Sequence, residues 1–160
     1  MSQSQEMSTP KWLSALVKLA WKVGSGAHTG LYRATGGKLG GRMGKNPILL
    51  LNTVGRRSGQ ERVTPLLYAV DGEDYVVIAS QGGAPTHPAW YLNLKANPDT
   101  TVEVGYHEVR VKAEEVDTEE KTRLWQKMVE MYPAYDDYQN KTEREIPLLV
   151  LRPVERGGAS

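Results

Sequence analysis

Two β-hairpin signals constrain the fold of this chain more strongly than any other feature of its sequence. Residues 63–70 and 75–80 are largely apolar, and Asp71-Gly72 between them favours the tight turn of a two-stranded hairpin. Further along, valines alternate with polar residues on both sides of Gly105, as in strands with one buried face. Neighbouring strands joined by such short turns pair antiparallel.

Other periodicities place the remaining elements. Ile48-Leu49-Leu50-Leu51 is a continuous apolar run, typical of a strand that is buried on both faces. A short helix is predicted over 88–96, because proline suits a first helical turn and the following Asn-Pro stops a helix. A second helix is predicted over 118–131 with Asp117 as its N-cap, and a last strand over 146–151. Strands linked by hairpins, with few helices between them, predict an α+β antiparallel barrel and not a Rossmann sheet.

The residues before the barrel divide into a tail, a helix and a loop. Residues 11–23 predict an amphipathic helix with a narrow lysine face opposite a broad Trp/Leu face, which suits either an anionic membrane surface or the protein core. Residues 24–46 hold eight of the sixteen glycines and predict a flexible linker or loop. The predicted organisation is a tail and helix, a Gly-rich linker, a barrel domain and a disordered tail, over 1–25, 26–46, 47–153 and 154–160.

Composition excludes several classes of protein. A net charge of +1 over 160 residues lacks the basic excess that nucleic-acid binders carry. The absence of cysteine excludes disulfides and thiolate metal sites, and the three histidines are too scattered for a metal-ligand motif. No segment reaches the roughly 18 apolar residues that a membrane span needs. Because the first residues are polar, unlike a signal peptide, we expect a cytoplasmic protein.

The segment Gly55–Gly59 is a candidate anion site. Glycine at both ends lets the backbone turn tightly and expose its N–H groups. Two guanidiniums, a hydroxyl and a nearby third cation supply donors that suit phosphate: Arg56, Arg57, Ser58 and Arg62. The spacing is not that of a Walker loop, so nucleotide hydrolysis is not implied. An ordinary solvated turn is the alternative interpretation.

Polar groups in three later segments could also face a ligand. Ala79–Gly83 follows a strand, and its small residues permit close approach of a flat molecule. Ser80 has the hydroxyl to donate to a developing oxyanion, although no GxSxG elbow marks it as a nucleophile. Asn93 lies among apolar residues, where a buried amide needs partners. Three tyrosines at three-residue spacing would line a pocket or pack in the core: Tyr132, Tyr135 and Tyr138.

Taken in order, these segments resemble the deazaflavin-dependent nitroreductase and quinone reductase family, small oxidoreductases that use coenzyme F420. The resemblance covers roughly residues 30–153 and rests on four pieces: LLLNTVGRRSGQERVTPLLY, IASQGGAPTHPAWYLNLKANP, MYPAYDDYQ and IPLLVLRP. It implies an α+β split β-barrel, similar to FMN-binding barrels, of antiparallel strands with flanking helices.

The resemblance also implies a role for each segment. The loop that holds the phosphate and acidic tail of F420 is Arg56, Arg57 and Ser58, with Arg62 nearby. The strand end along the deazaflavin ring is Ile78, Ala79, Ser80 and Gln81. The helix that closes over the cofactor contributes Ala89, Trp90, Tyr91 and Asn93. The acceptor would be surrounded by Ser80, Tyr132, Tyr135 and Tyr138. Family members often carry a basic residue where this chain has Gln81, a departure that bears on the grip on the cofactor's glutamate tail.

These roles imply an F420H2-dependent oxidoreductase that passes a hydride to a quinone, nitroaromatic or enone-like acceptor. We assign Tyr135 as the donor to the developing negative charge, with Ser80 assisting. Two alternatives stay open: an FMN-binding split barrel, since FMN also carries a phosphate, and a non-catalytic deazaflavin-binding protein. A homodimer is expected from the fold alone. Membrane contact through residues 11–23 would add a peripheral location on the inner face of the cell membrane.

Overall fold

The computed structural model describes residues 28–38 and 41–154, so the helix predicted over 11–23 lies outside the described residues. The helices are α1 (residues 28–35), α2 (Ala89–Ala96), α3 (Thr118–Met131) and α4 (Ala134–Asn140). The strands are β1 (Arg42–Met43), β2 (Asn46–Val54), β3 (Glu61–Leu67), β4 (Ala69–Asp71), β5 (Asp74–Ile78), β6 (Asp99–Val104), β7 (His107–Glu115) and β8 (Leu148–Pro153).

The strands form one curled antiparallel sheet. Their order is β1-β2-β6-β7-β8-β5-β4, and β3 pairs with β2. Strand β3 lies beside β2, near one end of this order, and β4 is at the other end. Because Tyr68 alone separates β3 from β4, the two ends of the sheet must lie close together, and the sheet curls into a half-barrel. With helices flanking the sheet, the fold is the α+β split β-barrel that the sequence predicted.

Apolar side chains cover both faces of the central strands. The buried residues form two clusters, one that includes residues of α2 and one that includes residues of α3 and α4. Val77 and Ala79 belong to the first cluster, and Val76 and Ile78 belong to the second. This alternation follows from the two-residue period of a strand. Leu49 to Leu51 are all fully buried, which confirms the doubly covered strand predicted from their apolar run.

The glycine-rich segment before β2 was predicted to be a linker or loop. In the structure, residues 28–35 of this segment are helical. Tyr32 is buried, its hydroxyl donates to the Glu103 carbonyl at 3.1 Å, and it accepts from the Gly105 N–H at 2.9 Å. Arg33 makes two hydrogen bonds of 2.9 Å to the Glu103 carboxylate and holds the pKa of that carboxyl below its ordinary value. One buried aromatic ring and one partly exposed ion pair thus fix α1 on the β6–β7 hairpin.

Other boundaries agree more closely or differ locally. Helix α3 has the predicted limits, and Asp117 caps it by accepting from the Glu120 N–H at 2.9 Å. The predicted strand over 63–70 is broken at Tyr68, and the last strand runs to Pro153 instead of ending at 151. The tyrosine-rich stretch holds the extra helix α4, which the predicted element order lacked. In the described ranges no helix has both the length and the apolar character that a membrane crossing needs.

Tyr32→Phe tests the attachment of α1. We expect the free energy of unfolding to fall by about 1–3 kcal/mol, because the Glu103 carbonyl and the Gly105 N–H both lose a partner. The matched control is Tyr106→Phe on the same hairpin. It removes an exposed hydroxyl whose contact with the Ala34 carbonyl of α1 is long, at 3.5 Å, so stability should change by less than about 0.5 kcal/mol. Urea denaturation measures both, and equal losses in the two variants would contradict the anchoring role.

Candidate functional site

The two glycine-containing turns leave the sheet at the same end. Four antiparallel pairings separate β2 from β5, namely β2–β6, β6–β7, β7–β8 and β8–β5. An even number of reversals makes β2 and β5 run in the same direction. The Gly55–Gly59 turn after β2 and the segment 79–84 after β5, named here the Ser80 turn, therefore share one end of the half-barrel.

A pocket of about 630 Å³ opens beside the Gly55–Gly59 turn. We name it the arginine pocket, because three guanidiniums line it together with a hydroxyl and one side of α2: Arg56, Arg57, Arg62, Ser58, Ala89, Trp90 and Asn93. Glu61 also borders it. Within the described part of the chain, Arg57 and Arg62 have no carboxylate oxygen within 4.0 Å, so their charges remain available to an anionic ligand.

Asn93 ties the first turn to α2. Its Oδ1 accepts from the Arg56 backbone N–H at 3.1 Å and from Arg56 Nη1 at 3.4 Å, while its Nδ2 donates to Thr53 Oγ1 at 3.3 Å. Asn93 is 5% exposed, so these contacts answer the need for partners that its sequence position predicted. The side chain acts on the pocket by holding Arg56.

Glycine at the start of the first turn leaves room for the Ser58 hydroxyl. A Cβ on Gly55 would lie 2.5 Å from Ser58 Oγ, and the turn is closed by a 2.8 Å bond from the Gly59 N–H to the Gly55 carbonyl. Ser58 Oγ accepts from the Gln60 N–H at 3.2 Å. The turn is therefore compact, and it presents Arg56 and Arg57 from a defined backbone.

Tyr91 lies on the other side of α2 from the arginine pocket. Its hydroxyl donates a hydrogen bond to the Glu115 carboxylate, and its ring lies 4.8 Å from the ring of His87, centroid to centroid. Burial and the Glu115 carboxylate raise the pKa of Tyr91. Ala89, Trp90 and Asn93 line the arginine pocket and Tyr91 does not, although the family resemblance implied that all four lie over the cofactor.

The Ser80 turn has an unusual backbone. Gln81, Gly82 and Gly83 all have positive φ, of 44°, 63° and 80°, and Gln81 pays a steric cost there that glycine does not. A Cβ on Gly83 would lie 2.7 Å from the Tyr138 carbonyl oxygen, so α4 packs directly on the turn. This contact brings Ser80 and Gln81 beside α4, named here the tyrosine helix because it carries Tyr135 and Tyr138.

Three tyrosines gather next to the turn, as their spacing allowed. The Tyr132 and Tyr138 hydroxyls are 3.1 Å apart, and the ring of Tyr135 lies 5.1 Å from that of Tyr132 and 6.3 Å from that of Tyr138. Tyr135 is 4% exposed, and burial raises its pKa above the ordinary 10.0. Its hydroxyl hydrogen bonds to no residue of the described ranges. Tyr135 therefore keeps its proton at neutral pH.

The sequence-predicted residues thus form two groups at one end of the sheet. The arginine pocket is lined by neither Ser80 nor the tyrosines. Ile78 and Ala79 face opposite sides of the sheet, Ile78 toward Tyr135 and Ala79 toward α2, so they do not present one common surface. Among residues 28–38 and 41–154 no cluster of histidine and acidic side chains is suited to a metal ion.

Arg144 is a site residue that the sequence did not reveal. Its guanidinium donates to the carbonyls of Ala79, Ser80 and Ala84 at 3.3, 2.7 and 2.8 Å, and it lies 3.1 Å from His87 Nδ1. Burial and the Arg144 charge hold the pKa of His87 below its ordinary value. Because Arg144 stands between two glutamates, the sequence around it resembles any solvated surface segment.

Known proteins share both this architecture and these segments. The family model of the F420H(2)-dependent quinone reductases matches residues 25–153. An F420H(2)-dependent quinone reductase of Mycobacterium tuberculosis is 44% identical over 128 residues, which are 78% of this chain and 86% of the relative. The chain belongs to the F420H(2)-dependent quinone reductase family. This membership implies coenzyme F420 as the cofactor and makes the chain an oxidoreductase.

Two solved structures are similar to the chain. An F420-H2 dependent reductase has 41% identity and a TM-score of 0.62, with 66% of this chain and 94% of that one covered. A structure described as a domain-swapped dimer has 34% identity and a TM-score of 0.64, with 84% and 99% covered.

The donors present fit the cofactor of this family. Coenzyme F420 carries a phosphate and an acidic tail, and the arginine pocket offers three guanidiniums and the Ser58 hydroxyl for anionic oxygens. Arg57 and Arg62, which have no ion-pair partner in the described residues, supply the charge that such a ligand requires.

Asn93→Ala tests the link between the first turn and α2. We expect a loss of about 1–3 kcal/mol in the free energy of unfolding, because Thr53 and the Arg56 N–H lose their buried partner. Binding of F420 should weaken by about tenfold, equivalent to about 1.4 kcal/mol, since Arg56 is no longer held. Fluorescence titration with F420 measures the affinity. Asn97→Ala, at the exposed end of the same helix, is the control, and an equal loss of affinity there would contradict the assignment.

Proposed function

We propose that the chain reduces a quinone by hydride transfer from reduced F420, with nitroaromatic and enone-like compounds as further candidate acceptors. The observation that supports this proposal most directly is the shared end of β2 and β5, where the arginine pocket opens beside the first turn and the tyrosine-bearing helix α4 packs on the second. One part suits the anionic tail of a cofactor, and the other suits the oxygen of an acceptor.

The arginines of the pocket would bind the cofactor through their positive charge. Arg57 and Arg62 would neutralise the phosphate and acidic tail, with Ser58 donating a further hydrogen bond. Arg56 would bind the same oxygens from a position fixed by Asn93. Trp90 and Ala89, on the same side of α2, would close the pocket over the bound molecule. Ala79, Ser80 and Gln81 would lie near the ring, and Ile78 and Tyr91 would support that arrangement from behind.

The protein's part in the chemistry is orientation and donation of a hydrogen bond. Bound F420H2 supplies the hydride. Tyr135, kept protonated by burial, would donate to the acceptor oxygen as negative charge develops on it, and Ser80 would assist. Tyr132 and Tyr138 hold each other by a hydroxyl contact and would fix the ring of Tyr135 between them.

Two features of assembly belong to the same proposal. The resemblance to a structure described as a domain-swapped dimer supports a homodimer for this chain. Peripheral membrane contact through residues 11–23 stays a prediction from the lysine and Trp/Leu faces of that segment. Such contact would favour a lipid-soluble quinone as the acceptor.

The function is tested with reduced F420 and a panel of acceptors. The full chain should oxidise F420H2 over many turnovers when menadione is present, and parallel assays with a nitroaromatic and a cyclic enone decide the breadth of the acceptor class. Oxidation of a single equivalent without cycling would contradict an enzyme and favour a carrier. In a separate titration, F420 should quench the tryptophan fluorescence, since Trp90 lines the pocket; quenching by FMN alone would instead indicate an ordinary flavin protein.

Tyr135→Phe tests the assigned donor. We expect kcat with menadione to fall by about tenfold or more, because one donor at a developing charge contributes a few kcal/mol. The dissociation constant of F420 should stay nearly constant. Since burial raises the pKa of Tyr135, the ratio of wild-type to variant kcat should not change up to about pH 10. Tyr106→Phe, at an exposed ring, is the control. An unaltered kcat in Tyr135→Phe would remove Tyr135 from the mechanism.

A further inference from the structure

We propose that Arg144 is a positioning residue, which holds the Ser80 turn and the tyrosine helix α4 in the one arrangement that the reaction needs. Its catalytic consequence rests on the proposed function, whereas its effect on the turn does not. Arg144 lies in the segment between α4 and β8, and no step of the proposed chemistry uses it directly.

The guanidinium of Arg144 is surrounded by backbone oxygen. Its Nη2 donates to the Ser80 carbonyl at 2.7 Å, its Nε to the Ala84 carbonyl at 2.8 Å and its Nη1 to the Ala79 carbonyl at 3.3 Å. Within the described ranges no carboxylate oxygen lies within 4.0 Å of it. A rigid planar fork that reaches both ends of a turn fixes the path of the chain between them.

That path would not be stable without support. Gln81 has a φ of 44°, which costs a residue with a Cβ free energy that a relaxed turn would avoid. The backbone of Ser80 is in the right-handed helical region, at φ −79° and ψ −37°, and that of Gln81 is in the left-handed region. Two residues in this order point successive N–H groups toward one concavity, which suits an anion. Arg144 binds carbonyls of this turn, and the Gly83 and Ala84 N–H groups bond within it. The N–H groups from Ser80 to Gly82 and the Ser80 hydroxyl are then left for a ligand.

Arg144 is also attached to the tyrosine helix. Gln139, in the last turn of α4, donates from Nε2 to the Arg144 carbonyl at 2.8 Å and accepts at Oε1 from the Ile146 N–H at 2.9 Å. Tyr138 of the same helix packs against Gly83. The backbone of Arg144 is therefore fixed to α4 while its side chain is fixed to the Ser80 turn, so one residue sets the distance between Ser80 and Tyr135.

Replacement of Arg144 should alter rate more than cofactor affinity. In both Arg144→Lys and Arg144→Met we expect kcat with menadione to fall by about tenfold or more, because a small misplacement of reacting groups has effects of up to about a hundredfold. The dissociation constant of F420, measured by fluorescence, should change far less, since the arginine pocket is intact. Arg123→Met is the matched control: its exposed guanidinium pairs with Asp71, and its removal should leave kcat unchanged. A lysine variant with wild-type kcat would overturn the proposal.

Hydrogen exchange tests the same role without cofactor or acceptor. The Gly83 and Ala84 N–H groups donate to the Ser80 and Gln81 carbonyls, and their exchange should be about tenfold faster in Arg144→Met than in the wild type and Arg123→Met. If Arg144→Met does not fold, Arg144→Lys supplies the comparison. Unchanged exchange would overturn the proposal. A wild-type chain that does not reduce menadione would refute the proposed function, while the exchange result would still decide the role of Arg144.

Chemical rescue separates orientation by the guanidinium from a general loss of structure. Added guanidinium ion at a low, non-denaturing concentration should restore part of kcat in Arg144→Ala, where the side chain leaves space. It should not do so in Arg144→Met, where the longer side chain occupies that space. Equal response of the two variants would contradict a role for the guanidinium in particular.

Discussion

The antiparallel register between β2 and β5 fixes where the Gly55–Gly59 turn and the Ser80 turn can lie. Because four pairings intervene, the two strands run in the same direction, and their following turns emerge at one end of the half-barrel. A single additional or missing strand between them would send one turn to the opposite end. The step through Tyr68, which joins β3 to β4, preserves this arrangement by curling the sheet on itself.

Helix α2 converts this shared end into a site, since its two sides bind different partners. One side gives Asn93 to Arg56, and the other gives Tyr91 to Glu115. The polar side chains that α2 buries, Tyr91 and Asn93, both have hydrogen-bond partners, so the helix is held without an unsatisfied polar group. Arg56 is in part committed to this framework, and Arg57 and Arg62 therefore carry most of the charge that is available to a ligand.

Short-range signals account for what the sequence predicted well. The limits of α3, its Asp117 cap and the hairpins at Asp71-Gly72 and Gly105 depend on neighbouring residues, and the structure contains them all. The arginines of the pocket were found together because they are nearly contiguous. Helix α1 was missed because glycines surround Tyr32, whose burial on a distant hairpin decides the local structure.

The sequence was least informative where contacts join distant segments. An amide at position 93 visibly needed partners, but nothing local indicated that Arg56 would be one of them, 37 residues away. Helix α4 is short and begins after Pro133, and its packing on Gly83 depends on a left-handed turn that sequence alone does not show. The break at Tyr68 has no glycine or proline to mark it, since it follows from the curl of the sheet.

The residues hardest to find from sequence are those that hold others in place, and a reaction of the proposed type depends on them heavily. When a cofactor supplies the reactive centre, the protein determines rate through distance, orientation and exclusion of water. Two side chains of this kind touch backbone next to the proposed site: Asn93 at Arg56 and Arg144 at the Ser80 turn. Such contacts produce no recognisable sequence motif, because every residue type has a backbone carbonyl oxygen that can accept the hydrogen bond. A chain could therefore keep its arginines and tyrosines and still lose its activity through one change at a position that resembles an ordinary surface residue.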